Sequence, residues 1–400
     1  MINKIPNIQA LCWQAFSLSV ALTIFQKVSS LIFAVFIVLS LSHGFKRTNN
    51  RAFNFYAVVL GLFFLYMCVR DYVNYSPMFW KKTEKNLSII AILPIFYSPI
   101  SVSKKVINRT FYYIIIVMFI VLCTSYSVAV YRSGQLYPID NGESFFYSNP
   151  FSRQEYTKLF GSIHPGYLSM FILISLVFIF EIILKSEVVL KKVGLALIFI
   201  FFTINVLILS SKTALFLLFL ILIYYALKIL FRKKWLIYTV PIVFLFAVFM
   251  AFLIRGDKQL NYRLDSESSI SYQYKYEQWT ASWELITENW LFGVSGVDLQ
   301  PKLNDVYDAK NYNLSLKEGL NSHNQYLQTF AAYGVIGILF LLFILFFPFK
   351  WAIYSPLYFW FLFLFIVFNI FESSFARYDS IFFFFTLNSL FLKYNSQWRF

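Results

Sequence analysis

Apolar stretches of about 20 residues, the length a helix needs to cross the hydrocarbon core of a bilayer, recur along nearly the whole chain. A soluble domain is thereby excluded, since 59% of the residues are hydrophobic and only 13% charged, with a mean hydropathy of +0.65. The stretches lie near residues 8–25, 28–44, 53–73, 87–103, 111–131, 164–185, 192–209, 212–231, 236–254, 323–347, 355–372 and 379–394. Inside a bilayer the backbone must satisfy its own N–H and C=O groups, so each stretch is expected to be a helix. The expected fold is an all-α polytopic membrane protein with about 12 transmembrane helices. The first stretch follows Lys4 and precedes no small-residue cleavage site, and it reads as a retained span.

Orientation follows from the loops, because short loops rich in Lys and Arg stay in the cytoplasm. Lys46/Arg47/Arg51, Lys104/Lys105/Arg109, Lys185/Lys191/Lys192 and Lys228/Arg232/Lys233/Lys234 fall on one side of the twelve-span arrangement. That side collects 17 basic residues against two acidic ones, Glu181 and Glu187, while the other carries 17 of each. The net charge of +15 therefore belongs to the inner face, as a topology signal and an attraction to anionic membrane lipids. No nucleic-acid partner is expected. Cys12, Cys68 and Cys123 fall within expected spans without metal-ligand spacing and read as packing residues. No nucleotide-binding loop or zinc motif occurs, so no cofactor and no metal is expected.

Two segments are long and polar enough to build structure beyond the bilayer, about 132–163 and about 255–322, both on the outer side. Three parts result: spans one to nine over 1–254, a large outer loop over 255–322, and spans ten to twelve over 323–400. Within the large loop Tyr272, Tyr276, Trp279, Trp283, Ile286 and Trp290 recur at helical spacing. Such a helix suits the membrane interface, where aromatic rings have one apolar and one wet edge, or packs on the ends of the spans. Glycines at 293 and 296 then end it.

Three helix starts are expected on the outer side: Ile163-His164-Pro165 at the sixth span, Ser210-Ser211-Lys212 at the eighth and Ser322-His323-Asn324-Gln325 at the tenth. Facing one cavity, they would offer unpaired N–H groups, a positive dipole end and a lysine to an anion such as phosphate. Ser322 and Gln325 form a capping-box pair with Ser322 as N-cap. At about 100° per residue, His323, Leu327, Phe330, Gly334 and Gly337 share one helical face, whose glycines permit close helix contact. Plainer readings stand beside these. Lys212 could snorkel to the interface, His164 could simply start a helix, and Glu372 and Arg377 could pair with each other rather than join the cavity.

These residues resemble the O-antigen ligase and Wzy-type polymerase superfamily, over most of the chain. His323-Asn324 with Gly334 and Gly337 fit the family pattern of His, then Asn, Ser or Gln, nine residues, Gly, two residues, Gly. Ser211-Lys212-Thr213-Ala214-Leu215 is similar to a second family motif, with Lys where Arg is usual. A third is matched by Lys275, Trp279 and Gly293-Val294-Ser295-Gly296, again with Lys for Arg and with Ser295 interrupting the turn. His164-Pro165-Gly166-Tyr167 is similar to a further His-Pro-x-Tyr signature. Lys keeps the charge of Arg but loses its forked grip on phosphate oxygens.

The resemblance implies a GT-C-like glycosyltransferase, multi-pass in the bacterial inner membrane, with a periplasmic loop domain between the ninth and tenth spans. Its donor would be a glycan on polyprenyl (undecaprenyl) diphosphate and its acceptor a sugar hydroxyl on lipid A core or on a growing glycan, with neither metal nor nucleotide. His323 is the expected general base, because imidazole is the side chain that ordinarily titrates nearest neutrality. Lys212, Lys275, Arg255, Arg263, His164 and Asn324 are the expected diphosphate or substrate residues, with Glu372 and Arg377 as further candidates and Gly334 and Gly337 as structural motif positions. The alternative within the class is a polymerase acting on the same carrier. A transporter of polar or lipid-linked solutes is the alternative from another class; it would place charges near the midplane and often show repeats, which this chain lacks.

Overall fold

A computed structural model describes residues 6–44, 50–73, 79–133, 165–209, 211–230 and 258–396. All regular structure among them is helical. In chain order the helices are α1 (Pro6–Ala21), α2 (Gln26–Ser42), α3 (Arg51–Val73), α4 (Phe79–Asn86), α5 (Ser88–Ala91), α6 (Leu93–Tyr97), α7 (Lys104–Ser133), α8 (Pro165–Lys185), α9 (Val189–Leu209), α10 (Lys212–Leu230) and α11 (Lys258–Glu288). There follow α12 (Leu299–Ala309), α13 (Asn313–Glu318), α14 (Gln325–Phe346), α15 (Phe349–Ala352), α16 (Pro356–Phe371), a short 3-10 turn (Ser374–Ala376) and α17 (Tyr378–Ser396). Among the described residues, six stretches are long and apolar enough to cross a membrane: Arg51–Tyr72, Lys104–Ser127, Gly166–Lys185, Val189–Leu207, Lys212–Ile229 and Gln325–Ala352. Three apolar helices are shorter, Ile8–Ala21, Gln26–Ser42 and Pro356–Phe371. The expected span over 236–254 and the first outer loop from residue 134 onward lie outside the described residues.

The chain forms two compact units, one of Met1–Val117 with Gln273–Phe400, the other of Met118–Tyr272. The first is organised on α17, whose residues 380–393 are all buried. A helix that is apolar on every side must be surrounded by other helices. Phe382 meets Phe33 of α2 edge-on at 4.9 Å, Phe384 stacks with Phe361 of α16 at 5.7 Å, and Phe391 stacks with Tyr358 at 4.6 Å. Asn388 of α17 is paired inside this core. Asn388 donates to the Tyr56 hydroxyl and accepts from the Tyr358 hydroxyl, both at 2.7 Å.

The fourth expected span, 87–103, is not one helix, and this corrects the sequence reading. Pro94 brings no donor and clashes with the preceding turn, so the segment restarts as α6; Pro99 then holds Ser98 extended at ψ 135. The carbonyls freed by the break find a cation, since the Lys393 ammonium of α17 donates to Ile95 O and Ser98 O, both at 2.6 Å. At the other end Lys85 donates to Ala376 O at 2.7 Å, just ahead of α17. The segment therefore runs the length of α17 in pieces, which irregular backbone can do only where protein satisfies it.

In the second unit α8 is the most enclosed of the candidate spans. Phe180 stacks on Tyr225 of α10 and meets Phe199 of α9 edge-on, both at 4.5 Å. The buried Glu181 carboxylate is matched by Lys185 at 2.7 Å, by Lys228 and by the Tyr225 hydroxyl at 3.1 Å.

Candidate active site

The site begins where α14 starts. Asn324 is extended (φ −156, ψ 113), and its side-chain oxygen accepts from the N–H groups of Tyr326 at 2.9 Å and Leu327 at 3.1 Å. Asn324 is thus the N-cap. The expectation of a capping box from Ser322 is corrected: the Ser322 hydroxyl lies 2.8 Å from that of Ser282 on α11, and its N–H donates to the Gln328 side chain at 3.1 Å. The cap has a chemical consequence. The amide donors of Tyr326 and Leu327 are already spent on Asn324, which leaves fewer backbone donors for an anion at this helix end.

His323 stands just outside the helix with a backbone φ of +40, one of the few non-glycine residues in the left-handed region. That conformation costs about 1–2 kcal/mol for an L-residue and persists only where its surroundings hold it. Two bonds do so: the His323 N–H donates to the Asn321 side chain at 2.9 Å, and the Asn324 N–H to the Ser373 hydroxyl at 3.2 Å. The result brings His323 Nδ1 to 3.3 Å from Glu372 Oε2, with the two side chains 31% and 16% exposed. An imidazole reachable from outside is therefore backed by a more enclosed carboxylate. Arg377 reaches Asp379 at 3.4 Å. Lys275 on α11 holds its ammonium 4.5 Å above the ring of Phe371, the residue before Glu372. Histidine, lysine and carboxylate thus gather at the junction of α11, α14 and the end of α16.

The proposed single face over His323, Leu327, Phe330, Gly334 and Gly337 is also corrected, because α14 starts after His323 and is interrupted at Gly334 (φ 64, ψ −163). The interruption receives a loop rather than a helix. Val294 and Ser295 donate to Ala331 O at 2.9 Å and Ala332 O at 2.8 Å, and Val335 donates to Trp290 O at 2.8 Å. A Cβ on Gly334 would lie 2.2 Å from Leu291 O, and one on Gly293 (φ +69) 2.4 Å from the Ala332 carbonyl carbon. Two separately recognised glycine motifs are therefore the two halves of one contact. Ser295 itself takes φ 83, so the residue that interrupts the glycine turn still adopts the conformation glycine would supply.

Sequence reasoning missed the clamp on this contact. Arg70 donates to Phe292 O at 3.2 Å and Gly293 O at 2.9 Å. Asp71, only 1% exposed, accepts from the Gly296 N–H at 2.7 Å and the Tyr333 hydroxyl at 3.0 Å. A signal was present, since two adjacent charges closing an apolar span are costly unless they have a task.

On α11 the aromatic side faces outward. Tyr272, Tyr276 and Trp283 are exposed, as is Trp290 just past the helix end, while Trp279 is half-buried and Gln278, Ala281, Ser282, Leu285 and Ile286 are buried.

Lys212 opens α10 in the second unit with its side chain exposed. Arg263 lies in α11. His164 and Arg255 lie outside the described residues.

In a comparison with known families, residues 195–342 match the family model described as O-antigen ligase. The chain carries an O-antigen ligase family domain. The matched stretch runs from α9 into α14 and contains Lys212, Lys275, His323, Asn324, Gly334 and Gly337. It stops short of Glu372 and begins after Arg70, Asp71 and α4. No curated protein matches the chain. The long apolar helices are those of a membrane protein, and its segment 195–342 is similar to the O-antigen ligase family.

Proposed function

We propose that this protein transfers a glycan from a polyprenyl diphosphate carrier to a sugar hydroxyl, in the manner of an O-antigen ligase, with lipid A core as acceptor. The observation that carries the reading is the pairing of His323, inside the family-matched segment, with Glu372, which lies beyond it. A carboxylate 3.3 Å from Nδ1 favours the tautomer with its proton on Nδ1, which leaves Nε2 as a proton acceptor. As the acceptor oxygen attacks the anomeric carbon, its proton passes to Nε2 and the Glu372 carboxylate balances the imidazolium that forms. The bond from that carbon to the diphosphate oxygen breaks, and its electron pair leaves with the lipid diphosphate. Direct displacement inverts the configuration. Lys275, with Lys212, Arg255, Arg263 and His164, is assigned to the diphosphate side, where fixed cations stabilise the charge growing on the leaving group.

The same reading places the protein in a bacterial inner membrane with 255–322 and the His323 end facing the periplasm. The positive-inside distribution of Lys and Arg supports that orientation. The exposed aromatic side of α11 suits a boundary with lipid or with the acceptor glycan.

The test is a transfer assay with purified protein, defined undecaprenyl-diphosphate glycan, and lipid A core or a second lipid-linked glycan as acceptor. Wild type is expected to glycosylate lipid A core. His323→Ala should lower turnover by at least about 10²–10⁴-fold, the usual worth of a general base, and Glu372→Gln should lower it while leaving donor binding intact. A folded His323→Ala protein that transfers at the wild-type rate removes the base assignment, and transfer only to the lipid-linked glycan replaces ligase by polymerase.

A further inference from the structure

Helix α4 lies outside the family-matched stretch, and its charged sequence FWKKTEKN reads at first as a solvated connector. Its faces differ. Trp80 and Lys81 are exposed, whereas Lys82 and Lys85 are half-buried and Asn86 is buried. Spacings of three and four residues put the last three on one side of the helix. Lys82 and Asn86 line a cavity of about 40 Å³ with Gln325, Gln328, Thr329 and Tyr333, and Ala376, whose carbonyl accepts from Lys85, lines it as well, with room for a few waters or phosphate oxygens.

The charges around this cavity do not cancel. Asp71 is the acid whose field Lys82 feels, yet its two oxygens already accept from Gly296 and Tyr333. Lys85 meets a carbonyl, Ala376 O, rather than a carboxylate. Arg377, next along the chain, is directed to Asp379. Burial pushes both lysines down, with Asp71 opposing it at each, and repulsion from Lys82 adds to the effect at Lys85, which is held at about 7. Two half-buried ammonium groups this close are unfavourable until an anion joins them. The cavity also adjoins the reacting end: Gln325 accepts from the Phe375 N–H at 2.7 Å, and Gln328 accepts from the Ser322 N–H next to His323.

We propose that Lys82 and Lys85 of α4 bind the diphosphate of the lipid-linked donor beside the His323–Glu372 pair. The inference rests on the transfer reading for the identity of the ligand, and on the geometry for the anion site itself. It also supplies what the capped start of α14 withholds, since the Asn324 side chain occupies the N–H groups of Tyr326 and Leu327.

The experiment measures binding by full-length protein in nanodiscs of undecaprenyl diphosphate, of inorganic pyrophosphate, and of phosphatidylglycerol as the bulk anionic lipid. Wild type is expected to prefer the two diphosphates. Lys82→Ala and Lys85→Ala should each weaken diphosphate binding about 10- to 100-fold, the worth of one charge-assisted hydrogen bond. Arg at both positions should retain binding, and Lys81→Ala, on the exposed side, should match wild type. Failure of transfer together with Lys82- and Lys85-dependent diphosphate binding defeats the glycosyltransferase reading and leaves this site standing. Unchanged diphosphate affinity in the folded double alanine variant overturns it, as does equal affinity for phosphatidylglycerol.

Discussion

Replacing Gly334 by Ala tests the docking of loop 289–296 into the break of α14. Gly334 sits at φ 64, ψ −163, a conformation close to glycine-only, and forcing a side chain there costs about 1–3 kcal/mol. The added Cβ would also stand 2.2 Å from Leu291 O and 2.5 Å from Phe292 N, both backbone atoms that cannot rotate aside. The loop must therefore lift, giving up the bonds of Val294, Ser295 and Val335, each worth about 0.5–1.5 kcal/mol net. Strain and lost bonds together come to roughly 3–7 kcal/mol. Reversible SDS or thermal unfolding in detergent reads this loss. Gly61→Ala is the control, because nothing lies within 4 Å of its added carbon and it sits inside α3, where Ala should stabilise by up to about 1 kcal/mol. Gly293→Ala should resemble Gly334→Ala, and the double variant should lose less than the combined single losses, since one contact can be broken only once. A Gly334→Ala protein within about 1 kcal/mol of wild type would refute the docking.

Asp71→Ala should destabilise by roughly 2–6 kcal/mol, because it leaves the Gly296 N–H and the Tyr333 hydroxyl without their acceptor; unfolding within about 0.5 kcal/mol of wild type contradicts the clamp. Trp283→Ala and Tyr276→Ala, on the exposed side of α11, should leave unfolding within about 0.5 kcal/mol while lowering transfer, and unchanged transfer removes α11 from the acceptor path. Lys212→Ala should slow transfer more than Lys212→Arg, which restores charge and fork; full activity in both assigns Lys212 to interface anchoring. Lys85 is held at about 7, against 10.5 ordinarily, by burial and by Lys82, with Asp71 opposing and Arg377 adding to the repulsion. It keeps its proton below about pH 7 and releases it above, so diphosphate affinity should fall as pH rises through that point, and Lys85→Arg should flatten the fall. Between about 7 and 10.5 the unfolded chain holds the extra proton, so the unfavourable contribution of Lys85, full below about pH 7, should fade as pH climbs.

Much of the helical framework was legible because an apolar run of span length has few alternatives in a bilayer. Expected limits of 53–73, 192–209, 212–231 and 355–372 meet Arg51–Val73, Val189–Leu209, Lys212–Leu230 and Pro356–Phe371 within a few residues. The stretch at 87–103 misled because hydropathy is blind to backbone, and Pro94 and Pro99 break what the side chains would allow. At the site, His323 and the glycines could be singled out by motif, but their geometry could not be read. The left-handed turn at His323 is imposed by Asn321 and Ser373, and the break at Gly334 by a loop about 40 residues earlier. Arg70 and Asp71 were readable as charges out of place, whereas Lys82 and Lys85 resembled any polar connector until their burial was seen.

The contact at Gly334 also ties the intervening chain into a closed circuit. The polypeptide leaves α14's neighbourhood at Ser295, builds α12 and α13, passes His323 and returns to the same spot at Ala332. Both ends of that circuit are moored at one base, and lengthening a tethered excursion costs only logarithmically in entropy. The 297–320 portion can thus change in length or sequence while the mooring at its ends is kept. A chimera exchanging it keeps the mooring while changing the chemistry presented above it.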